Sequence, residues 1–158
     1  MKEKIAILGS TGSIGKSLIK IISNNKKNFE IVLLTANKNY KDLLKQAKIF
    51  KVKNLVVTNK KSYEILKQKT QKTDIRVFNN FLSFNKIFRT KIDYAMSAIV
   101  GIEGLNPTIN IIKFTKKIAI ANKESIICGW GLIQNELKKN DTDFVPVDSE
   151  HFSLWYGL

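Results

Sequence analysis

The sequence predicts an α/β protein built on a doubly wound, mostly parallel sheet, and three observations carry that expectation. Short apolar runs alternate with segments whose apolar residues recur at helical spacing, almost from end to end. The first of these runs ends in a glycine-rich turn that opens a helix, Gly9-Ser10-Thr11-Gly12-Ser13-Ile14-Gly15. The length, 158 residues with 44% hydrophobic and 25% charged, suits one ordinary globular domain, or one and part of another.

In chain order, Lys4 to Leu8 is a short apolar strand stopped by Gly9, and Ile14 to Ile22 places Ile14, Leu18, Ile21 and Ile22 on one helical face. Glu30 to Thr35 has the continuous hydrophobicity of a strand covered on both sides. Tyr40 to Phe50 predicts a helix, Asn54 to Thr58 a third strand and Ser62 to Thr70 another helix. Ile75 to Phe78 is a short strand, followed by a weakly patterned helix from Phe81 to Phe88. Asp93 to Ser97 is the next strand, and Gly104 to Phe114 the next helix, with Pro107 acceptable only in its first turn. Lys117 to Ala121, Glu124 to Lys138 and Asp143 to Val147 complete the alternation as strand, helix and strand. Such alternation implies parallel pairing through right-handed crossovers. The ending is unusually apolar: Phe152, Leu154, Trp155 and Tyr156 fit either the first helix of a second domain or a terminal helix docked on the same sheet.

Composition narrows the function. Lysine and arginine total 27 against 13 acids, a net charge of +14. Arg76 and Arg89 are the only arginines, and the lysines are scattered without a basic block or interleaved aromatics, which favours a solvated surface over a nucleic-acid partner. No apolar run reaches the ~18 residues of a membrane span, and the run after Met1 is too short for a signal peptide, so the expected location is the cytoplasm, with no membrane partner. With Cys128 the only cysteine, an intrachain disulfide is excluded; its apolar neighbours predict a packed thiol. With His151 the only histidine, multi-histidine metal sites are excluded.

The glycine-rich turn carries the first chemistry. Glycines between a first strand and a helix let the backbone approach a pyrophosphate, and the helix start offers free N–H groups and a positive dipole end. The hydroxyls of Ser10, Thr11 and Ser13 add possible donors. The spacing is G-x-x-G-x-x-G rather than the commoner G-x-G-x-x-G, and a ligand-free structural turn is the alternative. At the end of the second strand, Thr35-Ala36-Asn37-Lys38-Asn39 lacks the carboxylate that would bind the ribose of NAD, whereas Lys38 can pair with a 2′-phosphate. The expected cofactor is NADPH, although Lys38 is also compatible with an ordinary surface lysine. Two more polar segments follow strands. Asn122-Lys123-Glu124-Ser125 sits at the sheet edge where ligands bind, yet Asn122 also suits a helix cap and Glu124 the helix dipole. Asp148 and Glu150, two apart in extended chain, suit Mg²⁺ or Mn²⁺, and equally a solvated acidic turn.

Taken in order, ILGSTGSIG at Ile7 to Gly15, AIVGIEGL at Ala98 to Leu105, IANKES at Ile120 to Ser125 and PVDSEH at Pro146 to His151 resemble the 1-deoxy-D-xylulose-5-phosphate reductoisomerase family. The resemblance implies a Rossmann-like NADPH-binding domain over residues 1–145 and the beginning of a second, catalytic and metal-binding domain at 146–158. Family members are more than twice as long, so the third carboxylate ligand, the lid and the substrate-phosphate pocket are expected beyond Leu158, with little or no turnover by this chain alone. The implied reaction rearranges 1-deoxy-D-xylulose 5-phosphate to a branched aldehyde and reduces it with NADPH to 2-C-methyl-D-erythritol 4-phosphate, in isoprenoid biosynthesis.

By the same resemblance, Thr11, Gly12, Ser13 and Ile14 hold the NADPH phosphates, and Asn37, Lys38 and Asn39 lie along its adenosine end. Asn122 and Glu124 contact the cofactor near the nicotinamide, while Lys123 and Ser149 bind substrate. Asp148 and Glu150 ligate the metal, Glu150 also reaches substrate, and Lys123, Asp148 and Glu150 form the catalytic set. His151 lines the site without ligating the metal. The family usually has glycine where Asn37 stands, a position where asparagine's tolerance of unusual backbone angles is relevant. A homodimer is expected at full length. Two other functions fit parts of the pattern: an NADPH-dependent reductase of another substrate, which leaves PVDSEH unexplained, and a non-catalytic nucleotide-binding module.

Overall fold

The protein is described from a computed structural model covering residues 1–147. Seven strands form one sheet: β1 (Glu3–Leu8), β2 (Phe29–Ala36), β3 (Asn54–Val57), β4 (Arg76–Phe78), β5 (Ile92–Ser97), β6 (Thr115–Ile120) and β7 (Asp143–Pro146). Their order is β4-β3-β2-β1-β5-β6-β7, and all six pairings are parallel. The connecting helices are α1 (Ser13–Asn24), α2 (Tyr40–Phe50), α3 (Lys60–Thr70), α4 (Phe84–Ile87), α5 (Leu105–Ile112) and α6 (Lys123–Lys139). This is the doubly wound Rossmann-like architecture that the alternation predicts, with no antiparallel strand among the described residues.

Strand residues alternate between two cores, as a sheet covered on both faces requires. Ile5, Ile7, Ile31, Leu34, Leu55 and Met96 face a cluster completed by Ile22 of α1, Leu43 and Ala47 of α2 and Leu66 of α3. Ala6, Leu8, Leu33, Val56, Ala95 and Ile118 face the other, completed by Phe84 of α4, Ile111 of α5 and Ile126 and Ile133 of α6. The first three helices therefore serve one face and the last three the other. The winding reverses between β1 and β5, so their C-terminal ends are left uncovered and make a crevice.

Three details differ from expectation. The helix expected from Phe81 to Phe88 divides into a 3₁₀ turn, Phe81–Ser83, and the single turn of α4. Its aromatic residues pack on one another and on Phe114 instead: Phe84 and Phe88 have ring centroids 5.9 Å apart, and Phe88 and Phe114 5.5 Å. Packing against α5's end, not helix propensity, organises this segment. Cys128 is exposed, not packed. The buried positions of α6 are Ser125, Ile126, Gly129, Ile133 and Leu137, a helical stripe from which Ile127 and Cys128 fall out of phase. Pro146, the expected first residue of the second region, is still in the sheet, opposite Ile120. The remainder of that region, residues 148–158, lies outside the described residues.

Candidate functional site

At the crevice between the two halves of the sheet lies a cleft of about 740 Å³, lined by the ends of β1, β2, β3 and β5 and the start of α5. Its floor is the loop from Gly9 to Gly12. Gly9 adopts φ +80, and a Cβ there would lie 2.6 Å from the Ala98 carbonyl oxygen. Only glycine lets the loop pass this close beneath the exit of β5. The Gly9 N–H donates to Thr35 Oγ1 at 2.9 Å, and the Ser10 N–H donates to the Thr35 carbonyl at 3.0 Å, so β2 holds the loop from one side.

Gly12 is the N-cap of α1 and supplies no capping side chain. By contrast Asn39, Asn59 and Asn122 cap α2, α3 and α6 with their side chains. The first N–H groups of a helix have no partner within it. Those of α1 therefore remain for an incoming acceptor, and the helix dipole favours an anion there.

Of the residues assigned to the cofactor, Thr11, Gly12 and Asn37 line the cleft. Ser13 and Ile14 form the exposed first turn of α1, next to Gly12. Lys38 and Asn39 are exposed beyond Asn37. The Lys38 carbonyl accepts from Ser62 Oγ at 2.9 Å, and Asn39 Oδ1 accepts from the Asp42 N–H at 3.1 Å, which fixes this loop to α2 and α3. Asp42 also pairs with Lys16 of α1 at 3.0 Å; that ammonium, with the Asn39 amide, holds the Asp42 carboxyl below its ordinary value. Asn37 is not among the residues with left-handed backbone; Lys51 and Asp141 are the described non-glycine ones. Asparagine stands there without a positive φ.

Asn122 is 3% exposed. Its Oδ1 accepts from the Ser125 N–H at 2.8 Å, capping α6, and its Nδ2 donates to the Ile99 carbonyl and, at 2.6 Å, to the Gly101 carbonyl. It thus clamps the loop after β5 to the start of α6, and this clamp leaves one lone pair of Oδ1 for anything else. Lys123 is exposed and Glu124 half-buried on the first turn of α6, at the edge of the sheet that carries the cleft. Asp148, Ser149, Glu150 and His151 lie outside the described residues. No group of three metal-ligating side chains occurs among the described residues.

Ser10 corrects one expectation. Its hydroxyl is not presented to a ligand: the residue is wholly buried, and Oγ donates to Gln46 Oε1 at 2.8 Å and lies 3.3 Å from the Thr35 carbonyl. Gln46 itself escaped notice in the sequence, although an amide at the i+3 position between Leu43 and Ala47 on an apolar stripe is its visible signal. Leu82 and Val100, 74% and 81% exposed at the cleft, carried no assigned role in the sequence; Leu82 lies in the 3₁₀ turn after β4, and Val100 in the loop after β5, within the AIVGIEGL segment.

The family described as 1-deoxy-D-xylulose 5-phosphate reductoisomerase matches residues 5–130. The chain belongs to that family. A 1-deoxy-D-xylulose 5-phosphate reductoisomerase of Pelagibacter ubique is 64% identical over 155 residues, covering 97% of this chain and 40% of that protein. The reductoisomerase of Zymomonas mobilis, solved in complex with NADPH, superposes with a TM-score of 0.89 at 32% identity, over 100% of this chain and 42% of that one. A DOX-P reductoisomerase in complex with NADPH, fosmidomycin and magnesium superposes with a TM-score of 0.89 at 31% identity, over 99% of this chain and 39% of that one. The chain spans about 40% of the length of the curated reductoisomerases it matches. Among the described residues no helix is long and apolar enough to cross a membrane.

Proposed function

We propose that this chain is the NADPH-binding part of a 1-deoxy-D-xylulose-5-phosphate reductoisomerase, residues 1–145, followed at 146–158 by the start of its catalytic domain. The observation that carries the proposal is the uncapped, glycine-lined start of α1, opening into a cleft of about 740 Å³ at the point where the winding reverses. Donors and shape both fit a dinucleotide. The free N–H groups beside Thr11 and Gly12 suit a pyrophosphate, and the apolar side chains of Leu82 and Val100 suit the face of a nucleobase.

Thr11, Gly12, Ser13 and Ile14 would hold the phosphates, and Asn37, Lys38 and Asn39 the adenosine end. Asn122 and Glu124 would stand toward the nicotinamide, with Lys123 and Ser149 on the phosphorylated sugar. Asp148 and Glu150 would ligate Mg²⁺ or Mn²⁺, with Glu150 also reaching the sugar. In the whole protein NADPH supplies the hydride that reduces the rearranged aldehyde to 2-C-methyl-D-erythritol 4-phosphate. This chain's part is to bind that cofactor and orient it toward the catalytic domain. The working protein is a cytoplasmic homodimer that acts on a small molecule, without nucleic-acid or membrane partners.

Equilibrium titration tests this directly. The chain is expected to bind NADPH more tightly than NADH. Lys38→Ala should weaken NADPH binding roughly five- to tenfold and leave NADH binding unchanged, because only NADPH carries the 2′-phosphate. No binding of either nucleotide would remove the proposal. Mn²⁺ is expected to bind weakly to the unsubstituted chain and to be lost in both Asp148→Ala and Glu150→Ala, as read by electron paramagnetic resonance of free Mn²⁺. A metal site indifferent to both substitutions is not the family's centre.

A further inference from the structure

Gln46 lies one layer behind the glycine loop, outside the cleft. It is 8% exposed, on the same face of α2 as Leu43 and Ala47. An apolar side chain of similar length would fill that stripe without the cost of burying an amide. Both ends of the amide are nevertheless satisfied, and by one loop residue: Oε1 accepts from the Ser10 hydroxyl at 2.8 Å, and Nε2 donates to the Ser10 carbonyl at 3.0 Å.

The second bond has a geometric consequence. The Ser10–Thr11 peptide is trans, and in a trans peptide the C=O and the following N–H point in opposite directions. By holding the Ser10 carbonyl toward α2, Gln46 turns the Thr11 N–H away from α2. Thr11 is the next residue along and lines the cleft.

We propose that Gln46 is a positioning residue for the cofactor: it locks the orientation of the Ser10–Thr11 peptide so that the Thr11 N–H is presented to the NADPH pyrophosphate. The proposal rests on the NADPH function above. Thr35 complements it from β2, where its carbonyl accepts the Ser10 N–H at 3.0 Å. The loop is thereby held at successive peptide groups by two different elements, leaving its outward N–H groups little freedom to lose on binding.

The test compares three forms of the chain. Gln46→Met keeps length and fills the stripe but removes both bonds; it should weaken NADPH and ADP binding about tenfold. Ser10→Ala removes only the hydroxyl, with its contacts to Gln46 Oε1 and the Thr35 carbonyl, and leaves the peptide lock; it should change NADPH binding by no more than about twofold. A purely structural Gln46 would instead lower the melting temperature while leaving the affinity of the folded protein unchanged. Amide hydrogen exchange supplies a reading that needs no variant: NADPH should slow exchange at Thr11 in the unsubstituted chain. An unsubstituted chain that binds no NADPH overturns the cofactor function itself. A chain that binds NADPH, but whose Gln46→Met form binds it equally well or whose Thr11 amide gains no protection, overturns the role of Gln46 alone.

Discussion

Gly15→Ala is expected to abolish measurable NADPH binding, a weakening of at least about 100-fold, and to lower folding stability by about 3 kcal/mol. Gly15 is buried in the first turn of α1, and a Cβ there would lie 2.6 Å from the Ser10 Cα and 2.8 Å from the Ser10 carbonyl carbon, and closer still to the Gly9 carbonyl oxygen. These are backbone atoms, so no side-chain rotation relieves the clash. They cannot retreat easily either, because Ser10 is held by Thr35 and Gln46 at hydrogen-bonding distance. Either the helix lifts off the loop or the loop leaves β2, and both displace the N–H groups that would meet the phosphates. Gly131 supplies the control: nothing lies within 4 Å of a Cβ there, so Gly131→Ala should stabilise α6 by about 0.5–1 kcal/mol and leave nucleotide affinity alone. Thermal melting and NADPH titration of both variants decide the matter. Retained binding in Gly15→Ala would mean that close packing of helix on loop is not what shapes the phosphate site.

The strands were legible because a sheet covered on both faces leaves its strands as nearly continuous apolar runs, as in Ile5 to Leu8 of β1 and Ile31 to Leu34 of β2. The glycine turn was legible for the opposite reason: its glycines answer to backbone geometry, which one residue type alone satisfies. Side-chain fate was harder to read. Ser10 and Ser13 look alike in sequence, yet Ser10 is wholly buried and Ser13 exposed, because Gln46 of α2 packs on and hydrogen-bonds Ser10. The split of the Phe81 to Phe88 segment is likewise set by Phe114, a residue distant in sequence. Asn122 had two readings in sequence, helix cap and ligand contact. The cap is present, and the same amide also fastens the loop after β5, a partner that its neighbours in sequence do not announce.

That second attachment makes Asn122→Asp the most discriminating change on the other wall of the cleft. If capping were the whole role, aspartate would serve as well as asparagine, and its charge at a helix N-terminus would stabilise by a few tenths of a kcal/mol. Asn122, however, gives its two Nδ2 hydrogens to the Ile99 and Gly101 carbonyls from a position 3% exposed. Aspartate replaces those donors with a carboxylate oxygen facing two carbonyl oxygens away from water, at an expected cost of about 3–4 kcal/mol at neutral pH. Asn122→Ala loses all three bonds but introduces no charge, and should cost about 2–3 kcal/mol. The two variants separate further with pH. Burial against carbonyl dipoles raises the folded-state pKa of the new carboxyl above its unfolded value. The folded state then binds the proton more tightly, so the aspartate variant loses stability as pH rises through that window and regains it as pH falls toward about 4. Denaturant unfolding should therefore rank alanine above aspartate at pH 7 and bring the two together, or reverse them, near pH 4. Because Ile99 and Val100 line the cleft, NADPH affinity should follow the same order at neutral pH. A pH-independent aspartate variant as stable as the unsubstituted chain would reduce Asn122 to a helix cap, and the loop after β5 would then be held to α6 by something else.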